Sequence, residues 1–123
     1  MSLYTKSEAD KLIPVLRPLL ADIRYYVKQI RQRKTLVKRV SQTQGGGGFA
    51  GCGSYVLQII KLRQKVTIIS NMGIEIKDYD RGLIDFPAKI DGKFALLCWE
   101  LNDGNEVEWW HEINAGFAGR KRI

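Results

Sequence analysis

Cysteine, histidine and proline are scarce, at two, one and three among 123 residues. Two cysteines, Cys52 and Cys98, make no disulfide scaffold, and with a single histidine they predict no zinc site. Long apolar runs are missing too. Stretches such as Tyr55-Val56-Leu57 and Ala95-Leu96-Leu97-Cys98-Trp99 fall far short of the roughly 20 residues that a membrane helix needs. The amino terminus, MSLYTKSEADK, has no apolar stretch of signal-peptide length, so a cytoplasmic protein is expected. Acid is absent where it matters most: residues 23–74 hold ten Lys and Arg and no Asp or Glu. Residues 75–123 hold seven basic and ten acidic groups, so the overall charge of +7 belongs to one part of the chain.

What remains is one domain's worth of chain, 14.0 kDa and 45% hydrophobic, enough apolar material for a single core. Thr5 with Glu8 three residues later is a capping box and starts a helix. Pro14 and Pro18 suit a helix interior badly, which predicts a short opening helix to about Ile13 and a longer one from Pro14. Leu12, Leu16, Leu19, Ile23, Tyr26 and Ile30 alternate spacings of four and three, a coiled-coil seam that runs on to Val37. The glycine-rich segment 44–54 is a connection, and Ser54 caps the next helix. That helix repeats the seam with Tyr55, Ile59, Leu62, Val66 and Ile69 and stops at Met72-Gly73. An antiparallel helical hairpin follows. Val56, Leu57, Ile60 and Ile68 lie off the seam and need the sheet or a second subunit, so a homodimer through this helix is expected.

After Gly73 the pattern changes to short runs with turn signals. Asp91-Gly92 and Asp103-Gly104 are type I′ dipeptides, which predict a three-stranded meander over 83–90, 93–101 and 106–113, with 75–77 as a candidate fourth strand. Counting outward from the turns puts Asp85, Cys98 and Trp109 in one row and Pro87, Leu96 and His111 in the next. Ile84, Phe86, Ala88, Ala95, Leu97 and Trp99 take the opposite, core-facing side. The fold class is α+β, with the hairpin packed on a small antiparallel sheet of three to four strands.

Three candidate surfaces emerge. Arg17, Arg24, Lys28, Arg31, Lys38 and Arg39 share about a quarter of the first helix's circumference, a stripe that could follow a nucleic-acid backbone or meet an acidic protein. The glycines 45–48, 51 and 53 look like a phosphate cradle, yet the Lys-Ser/Thr of a P-loop is missing and no strand precedes them, so they read as a connecting loop. On the outer sheet face, Asp85, Cys98 and His111 are a nucleophile, base and acid set for Cys/His catalysis. His111 with Arg120 and Arg81 could instead bind a small anion. The tail 109–120 is aromatic and then glycine-punctuated, a loop folded back over the sheet with Phe117 plugging the core.

Leu3-Tyr4-Thr5, Leu12-Ile13-Pro14, Arg17-Pro18-Leu19-Leu20, Asp80 through Ala88, Leu97-Cys98-Trp99 and Gly116-Phe117-Ala118-Gly119-Arg120 together resemble the domain-of-unknown-function family 2203 over nearly the full length. The resemblance implies a small cytosolic prokaryotic protein with no established activity, and a shared site, if any, at Asp85, Cys98, His111 and Arg120. Members of that family tend to carry glutamates along the helices. A nucleic-acid role for the acid-free hairpin would therefore be particular to this chain. The leading expectation is a non-enzymatic, self-associating interaction module with no cofactor. Nucleic-acid binding through the first helix and a small-ligand or catalytic site on the sheet face are the alternatives.

Overall fold

A computed structural model of the chain describes residues 3–44 and 52–123, and side chains over 3–35 and 53–123. The capping box forms as read: the Glu8 amide donates to Thr5 Oγ1 at 3.1 Å and the Thr5 amide to Glu8 Oε1 at 3.0 Å. Helix α1 (Lys6–Gln44) then runs as one element, past both prolines. The expected break at Pro14 is absent, because Pro14 and Pro18 are four residues apart on the exposed face while Ala9, Ile13, Leu16, Leu20 and Ile23 are buried on the other. Of the predicted seam as far as Ile30, Leu16 and Ile23 are fully buried and Leu12, Leu19, Tyr26 and Ile30 half-buried beside them, while the side chain of Val37 lies outside the described ones.

Helix α2 (Cys52–Asn71) begins two residues before Ser54, so Ser54 is not its cap. Its inward residues are the expected ones, with Ile69 buried and Tyr55, Ile59, Leu62 and Val66 half-buried. It ends as expected at Gly73, whose φ of 78° only glycine takes without strain. The Tyr4 hydroxyl donates to the Met72 carbonyl and fixes this end of α2 to the start of the chain. Lys65 on α2 pairs with Asp22 on α1 at 3.1 Å. Residues 45–51, which include most of the glycine-rich segment, lie outside the described residues.

The sheet has five antiparallel strands in sequential order, β1 (Glu75–Asp78), β2 (Leu83–Ile90), β3 (Lys93–Trp99), β4 (Trp109–Glu112) and β5 (Lys121–Arg122). The candidate fourth strand is β1, and β5 is one more than predicted. Asp91 and Gly92 both take positive φ, 51° and 79°, the type I′ hairpin that their sequence signals. The register is the counted one: Asp85 faces Cys98, Cys98 faces Trp109, Pro87 faces Leu96 and Leu96 faces His111.

Asp103-Gly104 is not a two-residue hairpin turn. Strand pairing stops between Trp99 and Trp109, and the intervening loop is drawn onto α1. Arg17 donates to the carbonyls of Leu101 (3.2 Å) and Gly104 (3.0 Å) and to Asn105 Oδ1 (3.2 Å), and its guanidinium lies 5.0 Å from the Trp99 ring. Asp10 Oδ1 accepts from the Val107 amide at 2.7 Å. These α1 side chains outcompete a tight turn for the loop's backbone groups. Behind the sheet, Ile84, Phe86, Ala88, Leu97 and Trp99 join the buried line of α1 and Ile69 of α2 in one core. The sheet's other face is left uncovered by α1 and α2, and it holds Asp85, Cys98 and His111.

Candidate functional site on the outer sheet face

Strand alternation alone sends Asp85, Cys98 and His111 to the face away from the helices. They come from three adjacent strands, β2, β3 and β4, in neighbouring rows, so their tips converge. One donor atom from each lies within 4.8 Å of the others. All three residues are at most 2% exposed. Buried polar groups need partners, and here they find each other: His111 Nε2 lies 3.1 Å from Asp85 Oδ1.

The other ring nitrogen settles the proton count. His111 Nδ1 lies 2.8 Å from the carbonyl oxygen of Glu112. A carbonyl only accepts, so Nδ1 carries a hydrogen and donates it. Nε2 and Asp85 Oδ1 then share one further proton. Either the imidazolium donates to the carboxylate, or the protonated carboxyl donates to neutral Nε2. The pair is electrically neutral in both forms. Burial pushes the Asp85 carboxyl above its ordinary range, against the opposing pull of the His111 hydrogen bond.

Cys98 is poorly placed to be a nucleophile. Burial, then the neighbouring Asp85 charge, pushes its thiol up to about 12, although the Arg120 guanidinium beside it acts the other way. A thiolate-generating base would need a free ring nitrogen, and both nitrogens of His111 are engaged.

The three residues form the floor of a cavity of about 320 Å³ that Leu83, Leu96, Ile113, Gly116 and Phe117 also line, with Lys77, Asp78 and Arg81 at its edge, Lys77 paired with Glu75 at 3.0 Å and Arg81 with Glu100 at 2.7 Å. Leu96, Ile113, Lys77 and Asp85 are shared with a second hollow of about 440 Å³, lined further by Leu3, Pro87 and Phe94. Phe94 and Ile113 are both 60% exposed, an apolar annex beside a polar floor.

Phe117 does not plug the core. It stands half-buried on this outer face, in a one-turn 3₁₀ helix (Phe117–Gly119), with the Arg81 guanidinium 4.0 Å from its ring centroid and that of Arg120 4.1 Å away. Arg120 also lies 4.4 Å from the Trp109 ring, and its Nη1 is buried without a hydrogen-bond partner. The tail does fold back on the sheet, through β5 and the Ile123 amide, which donates to the Glu108 carbonyl at 2.8 Å. Lys77 is a rim residue that its residue type alone does not single out. The period of two across 75–77 places it on the same face as Asp85 once that segment is a strand.

The α1 stripe divides. Arg17 faces the loop of the sheet, Arg31 Nη1 donates to both carboxylate oxygens of Asp80 at 2.8 and 3.0 Å, and Arg24 and Lys28 are exposed. The side chains of Lys38 and Arg39 lie outside the described ones.

The chain belongs to the DUF2203 family, described as an uncharacterized conserved protein, whose model it matches over residues 2–123. No curated protein and no solved structure is similar to it. No helix among the described residues is long and apolar enough to cross a membrane.

Proposed function

We propose that this protein is a small-ligand-binding module rather than a thiol enzyme, and that its ligand has an anionic head and an apolar body. The observation that carries the reading is the convergence of Asp85, Cys98 and His111, all buried and with Asp85 and His111 paired, beneath a cavity edged by Lys77, Asp78 and Arg81. Lys77 and Arg81 are paired with Glu75 at 3.0 Å and Glu100 at 2.7 Å and Asp78 shares their edge, so the group that favours an anion is Arg120, beside Cys98, whose buried Nη1 has no hydrogen-bond partner. The adjoining hollow, with Phe94, Leu96 and Ile113, favours an apolar one.

Calorimetric titration of the protein, both as purified and after chelator treatment, with inorganic anions and a series of straight-chain carboxylates tests this. Each added CH₂ is worth about 0.8 kcal/mol when buried, so affinity should rise roughly tenfold for every two carbons until the hollow is filled. Arg120→Ala should weaken every member of the series. No saturable heat, or an affinity indifferent to chain length, would refute the reading.

A second reading rests on α2. Val56, Leu57, Ile60 and Ile68 are 45–57% exposed and share one face with the uncharged Gly53, Gln64, Thr67 and Asn71. This supports self-association through α2. Light scattering at high micromolar concentration should show a dimer, and because the acid-free hairpin repels its copy, added salt should strengthen it. A monomer throughout would end this reading.

A further inference from the structure

We infer that Asp85, Cys98 and His111 form the coordination site of a divalent metal ion of the zinc class, with its open position facing the sheet-face cavity. The inference rests on the reading of this face as a ligand site and names what holds the ligand's head there.

The first argument is the donor set. An imidazole nitrogen, a thiolate and a carboxylate oxygen are together the ligands that suit zinc-like ions. Counting only cysteine and histidine excludes such a site, and Asp85 supplies the missing donor. The second argument is distance. Tetrahedral ligands at about 2.0–2.3 Å from a metal stand about 3.3–3.6 Å from one another. Asp85 Oδ1 and His111 Nε2 are 3.1 Å apart and all three donor atoms lie within 4.8 Å, so shifts of about an ångström or less admit the ion.

The third argument is the histidine's outer bond. A metal-binding imidazole commonly donates its other N–H to a carbonyl or carboxylate, which fixes the tautomer and the ring's direction. His111 does this through Nδ1 to Glu112, leaving Nε2 to face Asp85. Three protein ligands leave a fourth position for water or an anionic head arriving from the cavity.

The balance is simple. The bonds formed are metal–sulfur, metal–oxygen and metal–nitrogen. The S–H proton of Cys98 and the proton shared by Asp85 and His111 leave to solvent. A dication, a thiolate and a carboxylate then sum to zero charge, which a buried site tolerates. Arg120, beside Cys98, can donate to the coordinated sulfur.

The test is titration of chelator-treated protein with Co²⁺ in a Cys52→Ser background, which removes the other thiol. The expected result is one Co²⁺ per chain, with a near-ultraviolet thiolate-to-cobalt band and the intense visible bands of a tetrahedral ion, all displaced by Zn²⁺. Cys98→Ser should abolish the near-ultraviolet band, and Asp85→Asn should weaken binding at least tenfold. A folded Cys52→Ser protein with neither band, or one whose near-ultraviolet band survives Cys98→Ser, overturns the metal. Chain-length-dependent carboxylate binding in chelator without any cobalt band would leave the ligand site standing and remove only the ion.

Discussion

The helical hairpin and the outer sheet face depart from ordinary burial in opposite directions. On the sheet, a carboxyl and an imidazole are buried beside a thiol, and a carboxyl seldom goes there. On α2, Val56, Leu57, Ile60 and Ile68 are exposed, where large aliphatic side chains in a cluster seldom stay. The difference separates two kinds of partner. A recessed set of three donor atoms suits an ion or a small ligand, whereas the apolar helix face between Lys61 and Arg63 is the one on which we propose self-association. Charge follows the same division: the hairpin from residue 23 to 74 is purely cationic, and the segment that forms the sheet is mildly acidic.

The comparison can be broken most severely at His111. His111→Ala leaves Asp85 buried without its partner, and the expected loss is about 2–4 kcal/mol in chemical denaturation. A loss below about 0.5 kcal/mol would mean that the pair is solvated. The thiol offers a second break. Cys98 is held up to about 12 in the fold against an ordinary value of 9.0, so its protonated form supports folding. That contribution is fully present below pH 9.0 and is lost as pH rises through about 12. Metal-free protein should therefore lose stability over this window faster than Cys98→Ala does, measured by urea midpoints at stepped pH. Equal slopes would contradict the burial.

Arg17→Ala tests the junction between the two regions. It removes three hydrogen bonds and the contact with Trp99, and an expected loss of about 1–2 kcal/mol distinguishes it from the rest of the basic stripe. Arg24→Ala with Lys28→Ala should change stability by less than about 0.5 kcal/mol, as surface substitutions do. Leu57→Gln with Ile60→Gln should be as mild for the monomer and should abolish any dimer seen by light scattering. If this pair instead unfolds the protein, α2's outer face is part of the core.

Much of the fold was legible locally. The capping box, the end of α2 at Gly73 and the Asp91-Gly92 turn are each decided by residues within a few positions, and the pairing of Asp85 with Cys98 follows from that one turn. Even the count through Asp103-Gly104 gave the right partners, although those two residues form a loop instead of a turn. What failed was non-local. Arg17 reaches carbonyls more than 80 residues away, and nothing in its own helix distinguishes it from Arg24. The prolines did not break α1, because the buried line beginning at Ala9 and Ile13 holds the helix on the sheet. Phe117 was assigned to the core on its apolarity, but the guanidiniums of Arg81 and Arg120 hold it on the other face. The Asp85–Cys98–His111 cluster was visible because strands with a fixed register turn sequence position into spatial position.

The most direct test of the account is a crystal structure of the protein grown with one equivalent of zinc and a short-chain carboxylate, with anomalous data at the zinc edge. The account predicts one strong anomalous peak between Asp85 Oδ1, Cys98 Sγ and His111 Nε2, with the carboxylate's head beside it and its chain against Leu96 and Ile113. An empty floor with the Asp85–His111 hydrogen bond intact, and no carboxylate in the cavity, would contradict it.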